Sequence, residues 1–410
     1  MQNQYDVVVV GARVAGASTA MLLARAGLKV ALLDRGGYGS DTLSTHALMR
    51  AGVLQLSRWG VLDEVVAAGT PPVEKTLFHY SDGDMVQVSI RSSAGVDALY
   101  APRRYVIDRI LVDAAAAAGV DVHHGVAVTG LSWSDGRVTG LRAVSRTGAA
   151  LALRARLVVG ADGIRSVVAQ QVGAPVEQQA AARAAVLFRY HADFCLAGYE
   201  WAYGGGAAAG MIPTNDDLAC VFVSTTPERL RSMRRRAGTE RAFAGLFEEA
   251  APDLAPRLRM STPAGRMLGW AGVPGFVRRS WGPGWALVGD AGYFKDPITA
   301  HGMTDAMRDA ELLANAVVEA MSGARPEAEA LAAYQRQRDA LSSRLLAATE
   351  AIAAYAWDMS EIRQLLREVS SAMTDEVEAL EALPTRPSGR LPAGQPSRRR
   401  SGLTTPVWTA

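Results

Sequence analysis

Two glycines five residues apart at the end of an apolar run, with a lone carboxylate further on, are the first residues here whose spacing suggests chemistry. In Val10-Gly11-Ala12-Arg13-Val14-Ala15-Gly16 the first glycine permits a tight turn and the last lets a helix pack closely on a strand. The intervening backbone N–H groups could then hold a pyrophosphate at the helix N-terminus. Arg13 stands where a second glycine is usual, so its side chain either points away from the phosphates or contacts them itself. Asp34, 18 residues after Gly16, is spaced to accept both hydroxyls of an adenosine ribose and disfavours a 2′-phosphate. The expected dinucleotide contacts are Gly11, Arg13, Val14, Ala15, Gly16, Asp34 and Arg35. The plainer alternative is that Asp34 only caps a strand end.

Two later segments have the same strand-into-turn character. Leu157-Val-Val-Gly160-Ala-Asp162-Gly163-Ile-Arg165-Ser166 reads as a buried strand, an acid–glycine turn and a helix start, marking Asp162 and Gly163; an ordinary βα loop would look similar. Trp285-Ala-Leu-Val-Gly289-Asp290-Ala-Gly292 is followed by Pro297, Gly302 and Met303 before a helix beginning near Thr304. Asp290 there can hydrogen-bond a ribityl chain while the next helix turns its N-terminus to an anionic ring.

These residues need a scaffold. Tyr5–Val10 and Leu28–Leu33 read as buried parallel strands flanking a helix at 15–26 that Gly27 ends, a βαβ unit of about 30 residues. The alternating Met85–Ile90 fits a half-exposed antiparallel strand, and 106–119 a helix. Short strands are expected at Ala184–Tyr190, Ala207–Pro213 and Leu218–Ser224, with a Gly204–Gly206 loop between the first two. The Ala-, Leu- and Arg-rich segments 305–321 and 326–359 favour helices packed outside the core. The tail 384–410 holds five prolines, five arginines and no acid, and is expected to be disordered. The expected fold is α/β: a Rossmann-like domain (1–72, 94–180, 265–345) with a mixed parallel sheet and helices, a mostly antiparallel β-sheet domain (73–93, 181–264), and C-terminal helices (346–383).

Composition removes other classes. The 43 basic residues nearly cancel the 41 acidic ones, so no global field would hold nucleic acid. Cys195 and Cys220 lie 25 residues apart with no ligand cluster, so neither a disulfide framework nor a metal is expected. No run reaches the roughly 18 apolar residues of a membrane span. Charges interrupt the opening segment, so it does not read as a signal peptide; a cytoplasmic monomer or homodimer is expected.

Across residues 5–345 the order of motifs resembles the flavoprotein monooxygenases typified by para-hydroxybenzoate hydroxylase, with the related geranylgeranyl reductases and flavin halogenases. The resemblance implies that Gly11, Gly16 and Asp34 bind the ADP part of FAD. It implies that Asp162 and Gly163 serve FAD and a passing nicotinamide, and that Gly289 and Asp290 hold the ribityl chain. The family's arginine opening the intervening helix falls on Arg104 rather than Arg103. Its Gly-Asp-Ala-Ala-His becomes Gly289-Asp-Ala-Gly292-Tyr293, and its Pro-x-x-Gly-x-Gly becomes Pro297-Ile-Thr-Ala300-His301-Gly302, both beside the flavin ring. The halogenases' reactive lysine and Trp-x-Trp-x-Ile-Pro signature have no counterpart.

The reaction so implied is reduction of FAD by NAD(P)H, addition of dioxygen at flavin C4a, and transfer of one oxygen from the hydroperoxide to an electron-rich small organic molecule. His46 and His301 are expected beside the ring, where a histidine could deprotonate a hydroxylated substrate. Arg189, Trp201, Tyr203, Met211 and Phe222 are expected on strands that line the substrate pocket. One alternative is a carbon–carbon reductase like the geranylgeranyl reductases; another is a flavin-carrying scaffold or sensor whose arginine-rich tail meets a partner.

Overall fold

The computed structural model describes residues 4–383 apart from 94 and 195. The expected disordered tail and Cys195 therefore lie outside the described residues.

The chain opens with β1 (Gln4–Val10), α1 (Val14–Arg25) and β2 (Val30–Asp34), then α2 (Arg50–Arg58), α3 (Leu62–Ala67), β3 (Lys75–Tyr80), β4 (Met85–Ser89) and α4 (Arg104–Ala117). β5 (Asp121–His124), β6 (Val126–Ser134), β7 (Arg137–Ser145) and β8 (Ala150–Gly160) precede the short α5 (Val167–Gln171) and β9 (Val176–Gln179). Four strands follow, β10 (Ala185–Ala192), β11 (Tyr199–Gly204), β12 (Ala207–Thr214) and β13 (Leu218–Thr225), then α6 (Pro227–Ala237), α7 (Thr239–Ala250) and α8 (Ala255–Met260). After β14 (Thr262–Trp270), β15 (Phe276–Arg278), β16 (Trp281–Gly282), β17 (Trp285–Leu287) and β18 (Tyr293–Phe294), the chain enters α9 (Gly302–Ser322), α10 (Glu327–Ala353) and α11 (Met359–Glu381).

The first sheet runs β16-β17-β8-β1-β2-β5, with β17, β8, β1, β2 and β5 parallel and β7 antiparallel to β8. Val7 and Val9 face one apolar core and Val8 and Val10 another, so β1 is covered on both sides and reads as an unbroken apolar run. Leaving β1, the chain goes to β2 on one side and later to β8 on the other, which creates a crevice at the carboxyl ends of these strands. The turns carrying Asp34, Gly11, Asp162 and Gly289 close β2, β1, β8 and β17, four neighbours in a row. At about 4.8 Å per strand the row spans roughly 14 Å, room for an extended ligand.

The second sheet, β14-β10-β13-β12-β11-β3-β4, is antiparallel except where β11 meets β3. β11 and β12 form a hairpin around the Gly204–Gly206 loop. β14 belongs wholly to this sheet, its Thr262 opposite Ala192 and its Trp270 opposite Val186, so the join between the layers falls after residue 270 instead of at 264/265. One face of the sheet meets the first domain; the other is covered by α6, α7 and α8.

The helix at 302–322 departs from expectation. Rather than lying outside, α9 is buried along most of its length between α1 and α2 on one side and α10 on the other. Its charged residues Asp305, Arg308 and Asp309 sit in the interior because partners await them there.

Candidate cofactor and substrate site

At the first turn, Gly11 has φ +104°, and a Cβ there would lie 2.4 Å from the Ala161 carbonyl oxygen. A Cβ on Gly16 would lie 1.8 Å from the Gly11 carbonyl oxygen, so both glycines are sterically required. α1 begins with no side-chain cap and no acid in its first turn, leaving Val14, Ala15 and Gly16 at an uncompensated positive helix end. Arg13 turns its guanidinium away to Asp108 on α4, 3.0 Å distant. Asp34 accepts hydrogen bonds from the Ala12 and Gly36 N–H groups at 2.7 and 2.6 Å and borders a cleft with Arg13, Ser40, Asp108 and His124. Arg35 follows it at the rim, exposed.

Arg104 opens α4 and shares Asp108 with Arg13, its terminal nitrogen 3.0 Å from the carboxylate. It also lies close enough to Asp290 to favour that carboxylate's ionised form. Burial wins at Asp290, lifting its pKa to about 6 against the pull of Arg104 and Lys295. Gly289 (φ +58°) is pinched against α1, where a Cβ would come within 2.8 Å of the Ala15 methyl. Asp162 is occupied locally: it accepts from Ser166 Oγ at 2.5 Å and from the Val167 N–H at 2.6 Å, shaping the turn through Gly163 (φ +79°) into α5.

At the other end, Pro297–Thr299 forms one turn, Ala300 adopts the left-handed conformation (φ +49°), and Gly302 starts α9. Ala300 thus takes a backbone shape that glycine adopts more cheaply, at the position where the resemblance places a glycine. α9 has no side-chain cap on its first N–H groups, and a Cβ on Gly302 would meet nothing within 4 Å, so the helix start opens on free space; Met303 is buried behind it. The facing wall is the loop before α2, joined to α9 by the Met49 N–H to Thr304 Oγ1 at 3.2 Å.

His46 is in that loop, wholly buried and left-handed (φ +69°). Its Nε2 lies 2.5 Å from Tyr190 Oη on β10, while its Nδ1 has no partner. Burial, reinforced by Arg103 and Arg104, holds this imidazole well below its ordinary pKa and therefore neutral. Arg103 turns from the cofactor row and stacks 3.9 Å over the Tyr190 ring. Tyr190 and Arg103 were not among the sequence candidates, although alternation pointed to Tyr190: it shares the Phe188 and Phe222 face.

Alternation also sorts the expected pocket residues. Trp201, Tyr203 and Phe222 face the first domain. Met211 faces the outer helices, and Arg189 reaches Glu240 on α7 at 3.0 Å, so these two lie on the wrong side of the sheet to line the pocket.

His301 lies behind the start of α9, its Nε2 2.6 Å from Glu376 of α11 and its Nδ1 unpartnered. Arg308 bonds Asp305, Glu376 and Asp309 at 2.8, 2.9 and 2.7 Å, and Lys295 pairs with Asp305. Although burial opposes it, the neighbouring His301, Arg308 and Lys295 hold the Glu376 carboxyl down to about 2. His301, Asp305 and Glu376 are close enough to hold a metal ion, but Lys295 and Arg308 already engage their carboxylates.

Residues 4–349 match the family model described as an FAD binding domain. The chain belongs to that family. It is a flavin-dependent oxidoreductase with FAD as cofactor and NAD(P)H as the electron donor typical of the family. It is 28% identical over 360 residues to a digeranylgeranylglycerophospholipid reductase of Methanocella arvoryzae, covering 84% of this chain and 86% of that one. Among solved structures, p-nitrophenol 4-monooxygenase PnpA of Pseudomonas putida superposes with TM-score 0.75 at 20% identity, covering 93% and 98% of the two chains. The myxobacterial chondrochloren halogenase CndH gives 0.76 at 20% identity over 93% and 91%. The residues fit FAD: uncapped helix starts at α1, beside β1 in the row, and at α9, a carboxylate at Asp34, and open space beside Gly302. No helix among the described residues is long and apolar enough to cross a membrane.

Proposed function

We propose that this protein is an NAD(P)H-dependent FAD monooxygenase acting with dioxygen on a small, electron-rich organic molecule. The observation that carries the reading is the buried His46 with its Nε2 2.5 Å from Tyr190 Oη, where the cofactor domain meets the second sheet. Bound FAD supplies the electron transfer and oxygen activation. The protein's residues do the rest. Val14, Ala15 and Arg104 would hold the FAD phosphates, and Asp34 and Asp290 its ribose and ribityl hydroxyls. The apolar wall of Trp201, Tyr203 and Phe222 excludes water. His46, bonded to Tyr190 through Nε2 and unpartnered at Nδ1, would orient a substrate hydroxyl by hydrogen bonding rather than remove its proton, since its imidazole is held well below its ordinary pKa.

The test is substrate-stimulated NAD(P)H oxidation under ¹⁸O₂. Label in the product at one atom per NAD(P)H supports the reading. Conversion of substrate without oxygen overturns it in favour of carbon–carbon bond reduction, the second reading, which the similarity to the Methanocella reductase over most of both chains favours.

A further inference from the structure

Helix α11 lies beyond the family-matched residues 4–349, yet one of its side chains reaches the part of the molecule where the flavin-site backbone is shaped. Glu376 is 2% exposed, and its two oxygens divide between His301 Nε2 and Arg308. His301 is the residue between left-handed Ala300 and Gly302, and its bond to Glu376 is the only side-chain hydrogen bond it makes among the described residues. An ionised carboxylate can only accept, so Nε2 must carry the proton. That fixes both the tautomer and the direction of the ring.

Holding α11 in place does not require this arrangement. Ile362, Val369, Ala372, Val377 and Leu380 already bury its apolar face, and a buried ionic cluster adds little stability over well-packed apolar groups. What the charged contact adds is direction: it locks one residue at the helix start that opens on free space beside Gly302. We propose that Glu376 is a positioning residue of the flavin site, acting through His301 to set the backbone at which α9 begins. The inference rests on FAD binding and not on the reaction proposed above.

The test compares full-length wild type with Glu376→Gln, Glu376→Asp, His301→Ala and the Gln/Ala double variant. Apoprotein is titrated with FAD by flavin fluorescence, and the visible circular dichroism of the bound flavin is recorded. Glu376→Gln is expected to weaken FAD binding about tenfold and to change the visible dichroism, with Glu376→Asp recovering part of both. His301→Ala should produce a similar change, and the double variant no more than either single one. Should Glu376→Gln fail to fold, the dichroism and affinity of His301→Ala decide alone. Affinities within twofold of wild type with an unchanged flavin spectrum, or losses that add in the double variant, overturn the proposal.

Discussion

Replacing Gly16 by alanine tests how tightly the first turn is built. The added Cβ would sit 1.8 Å from the Gly11 carbonyl oxygen and 3.0 Å from the Ala161 methyl. An ordinary carbon–oxygen contact is about 3.2 Å or more, so the start of α1 must withdraw by roughly 1.4 Å from the loop it closes. Such overpacking costs about 1–3 kcal/mol. Part of it is relaxed in the apoprotein by that withdrawal, and returns when the Val14 and Ala15 N–H groups must be in place for phosphate. If the whole cost fell on binding, the FAD Kd would rise by about 5- to 150-fold. Fluorescence titration of apoprotein gives the Kd, and thermal denaturation of apoprotein gives the share taken by the fold. As a control, Gly119→Ala has positive φ but nothing within 4 Å, and should lose only stability. Wild-type affinity together with wild-type stability in Gly16→Ala would refute the steric argument.

Other expectations follow from single observations. Burial lowers the pKa of His46, His191 and His301, that of His191 to about 4, so below pH 6.5 the unfolded chain binds protons that the folded one resists. Each such histidine therefore takes away up to about 1.4 kcal/mol per pH unit as pH falls from 6.5 towards 4, while Asp290 and Asp296, raised by burial to about 6, act in the opposite direction; the histidine part is isolated by comparison with wild type, and the destabilisation of wild type relative to His191→Gln should grow as pH is lowered through this range. Ala300→Gly removes left-handed strain of about 1–2 kcal/mol against an entropy cost of about 0.5–1 kcal/mol, so calorimetry should show an unchanged or slightly raised melting temperature. Met211→Ala should cost about 2–4 kcal/mol in denaturant titrations yet leave substrate affinity alone, whereas Phe222→Ala should weaken substrate binding; the reverse pattern would mean that the faces of the sheet are wrongly assigned.

The parallel strands were legible because residues covered on both faces must be apolar throughout, as Val7–Val10 are. The turns at Gly11, Asp162 and Gly289 were legible because glycine and acid mark a strand's end; that they form one row depends on strand order, which no local pattern encodes. Pocket residues were misassigned where alternation was not carried through: counting from Phe222 across to Phe188 places Tyr190 inside and Arg189 outside. The interior position of α9 was hidden for a different reason. Asp305, Arg308 and Asp309 share one helical face and imitate a solvated stripe, because the carboxylate that Arg308 meets inside, Glu376, stands 68 residues beyond it in the chain.

That distance also bears on when the protein can become a holoenzyme. The turn through Gly11 and Gly16, to which phosphate binding is assigned in the proposal, is complete once β8 has paired with β1, about 160 residues into the chain. Glu376 leaves the ribosome more than 200 residues later, and domains otherwise settle from the N-terminus as they emerge. If Glu376 sets the ring's seat as proposed, a nascent chain able to grip the adenosine half of its cofactor would do so well before that seat is fixed, and secure loading would wait for α11 to dock.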